Sequence, residues 1–514
     1  MTFYSRQGVY QIVFLLIFVA LNTILYVSAE KQSNPEYDTD SPTYLNAADG
    51  QRYWGVSLNL VENGTFSIPG SDQVPLEHGP IPALIFYVPI KLAGLNNATV
   101  FIVVIQCAML FAIGLLARPL ANPYPVNKDL LQGLLIFNPN LIGLAHHAQS
   151  DLIFAFIFSC TLYFLSRCIE RPNFARKIDY CMIGFLCGCL LLTRPASVPY
   201  VFVLPFLLLL SMFVRRRTKN IDWALILRYL GLGAIITGII IAPWMARNHV
   251  INSSTFLENR QASRTCLDSY DLLLYAKTGK DFDQRASLSC KVVSSYFKSV
   301  GRPDCYRGLL GYCDDASITI NQITPLTETI NSADGTSCKS LQLKACMSAI
   351  LDEKFTTIAK AYFSGWSALM IGGSTSNIAT YLGFHPPSYQ RKNYYSTPTI
   401  AELSSYVLIM IRENLPYFLF FFTFTGFALI SRLIGIVGLI SVIRSKSSYP
   451  YTLFYCLSIT CFLFTYMFVG LSRYRAPLEP MLMLFAAAGI GQCISIVKLY
   501  TRKNKLRNRF DATW

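Results

Sequence analysis

Charge is what this chain has least of. Only 14% of its 514 residues are Asp, Glu, Lys or Arg, where an ordinary soluble domain carries roughly 25%. With 53% hydrophobic residues beside that scarcity, a soluble globular protein is excluded and a polytopic membrane protein is left. Acidic residues are the scarcer sign, 29 against 44 basic ones, for a net charge of +15. That surplus invites a nucleic-acid reading, but the positives form no binding face. They cluster in short hydrophilic gaps between apolar runs, so membrane topology accounts for them and no nucleic-acid partner is expected. Internal repeats and low-complexity segments are absent too, so the paired halves common in transporters are not visible.

What is present is a series of apolar runs. Residues 9–28, 98–117, 129–147, 151–168, 178–194, 197–214, 223–244, 416–443, 449–469 and 477–498 read as spans, most of them about 17–25 residues long as the hydrocarbon thickness requires. The fold class is therefore all-α and polytopic, with about ten transmembrane helices. Residues 80–95 are apolar but short and proline-bounded, an interfacial or re-entrant helix rather than a crossing. The run 401–443 is too long for one crossing, so its first part is expected along the surface. By alternation Arg118, Lys128, Arg167 to Lys177, Arg215 to Lys219, Arg444, Lys446 and the basic tail share one side, which the positive-inside rule makes the cytoplasm together with both termini.

Three modules follow: 1–250 with the outer loop 29–97, an outer loop domain 251–400, and a C-terminal membrane module 401–514. The first run has a competing reading as a cleaved signal peptide, with Val27-Ser28-Ala29 as a small-residue site. Cys266, Cys290, Cys305, Cys313, Cys338 and Cys346 lie in the large outer loop, an even set that suggests up to three disulfides in an oxidising compartment. The other nine cysteines sit in or beside apolar runs, where a thiol behaves as a small hydrophobe. Asn63, Asn97 and Asn252 head outward-facing glycosylation sequons, relevant only in a eukaryotic secretory pathway.

Asp49 stands in Ala48-Asp49-Gly50-Gln51-Arg52-Tyr53-Trp54, just past the first span. A carboxylate held at the membrane surface is costly and is usually functional. Its competing role is helix capping, since a helical Tyr53–Leu60 stretch follows. Downstream come Ser57-Leu58-Asn59-Leu60, Asn63-Gly64-Thr65-Phe66-Ser67 and His78-Gly79-Pro80-Ile81-Pro82. This order resembles the first outer loop of GT-C membrane glycosyltransferases that use polyprenyl-phosphate sugars, the protein O-mannosyltransferase and aminoarabinose transferase group. Pro243-Trp244-Met245-Ala246-Arg247-Asn248 and Ser472-Arg473-Tyr474-Arg475-Ala476-Pro477 resemble two further recurrent elements of that family. The likeness covers the spans to about 260 and resumes near 416–480; the 260–400 segment matches nothing beyond its cysteines.

The resemblance implies a GT-C-like fold and transfer of one sugar from a polyprenyl-phosphate donor to an outward-facing glycolipid, glycan or protein acceptor, with inversion. A phosphate leaving group needs no strong general acid, so the missing part is a base for the acceptor hydroxyl. By resemblance that base is Asp49, with Asp151 orienting the acceptor or assisting. Asp151 also opens a span, where it suits an N-cap and the macrodipole. Asp38 and Asp40 are held in reserve as solvated loop residues. The donor phosphate calls for arginines, whose planar donors grip its oxygens in pairs. Arg52, Arg194, Arg247, Arg473 and Arg475 are the candidates, each with snorkelling to the headgroups as its rival role. Tyr53, His78 and His147 are expected to line the acceptor site.

No cofactor is certain from the sequence. A divalent metal stays open, since His146 and His147 could join Asp49, Glu77 or His78, but no tight ligand spacing is present. The expected location is an integral membrane protein of the bacterial inner membrane, or of the endoplasmic reticulum in a eukaryote, with the site on the periplasmic or lumenal side. The Trp-Trp-Asp-Tyr-Gly signature of oligosaccharyltransferases is absent, as is any nucleotide motif. Two other readings survive: a transporter or flippase of a lipid-linked glycan, and a glycan polymerase or ligase.

Overall fold

The computed structural model describes residues 3–30, 48–67, 79–170, 177–194, 197–216, 222–252, 338–372, 400–445, 448–466 and 472–511, with short pieces between 266 and 300 and around 378–384. Every regular element among the described residues is helical. In chain order these are α1 (Phe3–Glu30), α2 (Ala48–Glu62), α3 (Pro80–Ala93), α4 (Leu95–Leu120), α5 (Lys128–Ile136), α6 (Pro139–Ala145), α7 (Ser150–Glu170), α8 (Lys177–Thr193), α9 (Val198–Arg216) and α10 (Trp223–Asn252). Then follow α11 (Cys338–Leu351), α12 (Phe355–Ile371), α13 (Ile400–Glu413), α14 (Leu415–Ile443), α15 (Tyr449–Tyr466), a 3-10 segment (Ser472–Leu478) and α16 (Glu479–Asp511).

Seven described helices are long and apolar enough to cross a membrane. The expected span 129–147 is instead two short helices, and the reason is local. Asn138 caps α6 by accepting from the amides of Asn140 at 2.9 Å and Leu141 at 3.4 Å. Pro139 follows at the first helical position, where its missing N–H costs nothing but where it cannot continue α5. The runs at 178–194 and 449–469 form α8 and α15, of 17 and 18 residues. The long 401–443 run divides as expected, at Asn414, whose side chain accepts from the Tyr417 amide at 3.0 Å. Residues 80–95 yield the short α3 with proline in its first turn.

The bundle is organised around α7, the most enclosed of the candidate spans, with 72% of its apolar window buried. Close helix approach is bought with glycine, as small residues allow where lipid supplies no hydrophobic drive. A Cβ on Gly184 would overlap Gly233, joining α8 to α10, and one on Gly438 would overlap the backbone of Phe485 and Gly489, joining α14 to α16. The first helix is part of this core. Phe18 is buried, Phe14 and Phe137 pack edge to face at 6.2 Å, and Gln11 Nε2 donates to Asp129 at 3.3 Å.

One end of the bundle gathers basic helix termini. Arg118 pairs with Asp129 at 2.5 Å, Arg167 with Asp179 at 3.4 Å, and Arg215 donates to the Ile169 carbonyl and the Tyr451 hydroxyl, each at 2.6 Å. These are residues that alternation placed on one side. In the large loop Cys266 and Cys346 form a disulfide. Cys290, Cys305, Cys313 and the Cys338 side chain lie outside the described residues. All nine cysteines of the apolar runs are free thiols.

Candidate functional site

The other end of the bundle carries the turn from His146 to Asp151, and the strongest polar contacts between candidate residues form there. Asp151, in the first turn of α7, is ion-paired with Arg194, which stands just past the end of α8. Both side chains are buried, at 2% and 9% exposure. The placement is electrostatically favourable twice: the acid lies at a helix N-terminus and the base at a C-terminus. Arg194 also lies over the Tyr474 ring at 4.9 Å, and Arg473 lies over the same ring at 5.1 Å. The 3-10 segment thus brings one aromatic ring to two of the predicted cations.

The first outer loop reaches this turn through α2. Tyr53 is buried, and its hydroxyl lies 3.1 Å from Ser150 Oγ, one residue before Asp151. Ser57, one turn later on the same face, donates to the Ala83 carbonyl at 2.9 Å and so docks α2 on α3. Asp49 occupies the helical position one turn before Tyr53, inside the first turn rather than at the cap. The side chains of Asp49 and Arg52 lie outside the described residues, as do His78, Glu77, Asp38 and Asp40.

Gly79 brings the far end of that loop to the same place. A Cβ there would overlap the Leu192 carbonyl, two residues before Arg194. Backbone cannot give way as a side-chain tip does, so Gly79→Ala should separate α3 from α8 and cost about 1–3 kcal/mol of stability. A thermal midpoint in detergent below that of wild type is the expected result; an unchanged midpoint would show that this contact is loose.

The remaining predicted residues divide into three placements. His147 is buried in the turn, with its ring centroid 5.5 Å from that of Tyr381. Arg247 sits on a neighbouring patch, donating to the Phe66 carbonyl at 3.1 Å with its guanidinium 4.4 Å from the Trp244 ring centroid and 5.2 Å from that of Phe66. Trp244 in turn packs on Leu191 and Leu192, close to Arg194 in sequence. Arg475 points away from the turn into a buried network. Its Nε donates to Glu479 at 2.5 Å and its Nη1 to the carbonyls of Leu369 at 2.5 Å and Met370 at 2.8 Å. Glu479 also accepts from Arg432 at 2.8 Å and from Asn138 at 3.1 Å. With 1% exposure, Arg475 spends its Nε and Nη1 donors on these partners inside the bundle.

Sequence reasoning missed Ser150, Tyr381, Arg432 and Glu479. Arg432 is the one charge in a 29-residue apolar helix, a signal that could have been read. Among the described residues no group of three or more His, Cys, Asp or Glu side chains could hold a metal ion.

No family model matches the chain, and no curated protein matches it. Among solved structures it is similar to the crystal structure of ArnT from Cupriavidus metallidurans bound to undecaprenyl phosphate, at 16% identity and a TM-score of 0.37, covering 93% of this chain and 78% of that one. It is also similar to the same protein in the apo state, at 15% identity and a TM-score of 0.37, covering 93% and 77%.

Proposed function

We propose that this protein is an integral membrane glycosyltransferase of the GT-C type that moves one sugar from a polyprenyl-phosphate donor to an outward-facing hydroxyl acceptor. The observation that carries the reading is the convergence of α2 with the Asp151–Arg194 pair through Tyr53 and Ser150. The helix so held is α2 (Ala48–Glu62), whose first turn includes Asp49, and the buried acid and base it meets lie at the end of the bundle opposite the basic helix termini, which supports the reading.

In this reading Asp49 takes the proton of the acceptor hydroxyl as its oxygen attacks the anomeric carbon. The bond from that carbon to the phosphate oxygen breaks, the polyprenyl phosphate leaves with the electron pair, and the anomeric configuration inverts. Arg194, Arg473, Arg247 and Arg52 supply positive charge for the phosphate, where arginine forks match its oxygens. Asp151 holds Arg194 in place and so assists indirectly. Tyr53, His78 and His147 line the acceptor side. The acceptor is an envelope glycolipid, a glycan or a protein, on the periplasmic or lumenal face.

The buried cluster of Arg432, Arg475 and Glu479 favours a second reading, a transporter of a lipid-linked glycan, because ionisable groups inside membrane helices often mark a transport path. Mass spectrometry separates the two. Envelope lipids and glycoproteins from cells lacking the protein should differ from wild type by a single sugar on one species. Loss of whole chains instead would favour transport.

A further inference from the structure

Two buried polar atoms beside the site carry complementary and unused hydrogen-bonding capacity. Asn22 Nδ2 donates to the Phe18 carbonyl at 2.7 Å, and a carbonyl can only accept, so the orientation of the Asn22 amide is set. Its Oδ1 lies 2.9 Å from His146 Nε2 and must accept there. His146 therefore carries its proton on Nε2 and presents a bare lone pair at Nδ1. That nitrogen is buried without a hydrogen-bond partner, and so is the Tyr381 hydroxyl. The two rings lie 5.9 Å apart, each 1% exposed. Burial, and then the nearby His147, pushes the His146 pKa down to about 4, so the imidazole stays neutral around pH 7.

The pair joins two parts of the chain. His146 belongs to the turn that ends in Asp151, and Tyr381 comes from the large loop beyond α12, the segment with no recognisable pattern. An orphaned acceptor and an orphaned donor, both desolvated, are a standing cost to the fold that a bound partner would relieve.

We infer that His146 and Tyr381 form a recognition pair for one sugar hydroxyl, which donates to His146 Nδ1 and accepts from the Tyr381 hydroxyl. Only a group that both donates and accepts satisfies the two at once. An ionised phosphate or carboxylate has no proton for Nδ1, and an ammonium has no lone pair for Tyr381. Water and a neutral alcohol both meet that requirement, and the alcohol is the one a sugar substrate carries. The inference rests on the glycosyltransferase reading, and the sugar belongs to the donor or to the acceptor.

Tyr381→Phe tests it, because loss of an unpartnered hydroxyl should not harm the fold. The full-length protein in nanodiscs is offered three probes: a sugar-bearing polyprenyl phosphate, bare polyprenyl phosphate, and the methyl glycoside of the same sugar. The variant should melt at or above the wild-type temperature while binding a sugar-bearing probe about 5- to 100-fold more weakly, with the bare lipid unchanged. Weakening of the sugar-bearing lipid assigns the hydroxyl to the donor; weakening of the methyl glycoside alone assigns it to an acceptor sugar. Equal binding of every probe by variant and wild type, or equal weakening of the bare lipid, overturns the pair. If wild type binds neither polyprenyl probe, the glycosyltransferase reading fails instead, and the methyl glycoside still decides the pair.

Discussion

Asp49→Asn should lower the rate of sugar transfer by about 10²- to 10⁴-fold, the usual contribution of a positioned general base. The same change should leave folding nearly untouched. Asp49 lies in the first turn of α2, where a carboxylate gains only about 0.3–1 kcal/mol from the helix dipole. The contact that holds α2 to the site is Tyr53 to Ser150 at 3.1 Å, and it does not involve Asp49. Rate and melting temperature measured on the same variant separate a structural role from a catalytic one. Reconstituted enzyme with a polyprenyl-phosphate sugar should show a fall in kcat with donor binding intact, at equal melting temperature. Wild-type turnover by the variant would move the base elsewhere, to Asp38 or Asp40 first.

What the sequence revealed and what it hid differ by the kind of physics involved. Apolar length and basic gaps are one-dimensional quantities, so α1, α4, α7, α9, α10, α14 and the Arg118, Arg167 and Arg215 end were legible in advance. The break inside 129–147 was written in Asn138-Pro139 and could have been read as cap and proline. The site was legible only as a set of residue types. That Asp151 would pair with Arg194, 43 positions away, depends on how α7 meets α8. The 251–400 segment carried no periodic or motif signal, yet it delivers Tyr381 to the His146 turn and the Leu369 and Met370 carbonyls to Arg475. Contacts made by irregular chain against a bundle leave no pattern of their own.

Glu479→Leu should be the most destabilising single change in the described bundle, at about 3–5 kcal/mol, because it strands two buried guanidinium groups that now share one carboxylate. Arg475 would retain only the carbonyls of Leu369 and Met370, the partial negative end of α12. Arg432, on an otherwise uncharged helix, would keep no anion at all among the partners it has here. Removing all three charges, with Arg432→Met and Arg475→Met added, should recover most of the loss, since well-packed apolar groups often replace a buried ionic cluster at little cost. Recovery should stop short by about 1–3 kcal/mol, because the two α12 carbonyls then lose their donor. Chemical unfolding of the single and triple variants measures both terms. Activity of the triple variant carries the mechanistic weight. A cluster that only ties α12 and α14 to the 3-10 segment is dispensable for transfer once the fold is restored, whereas a charged step in a transport path is not. A stable triple variant with no activity would therefore give the cluster a direct part in function and overturn its reading as a structural tie alone.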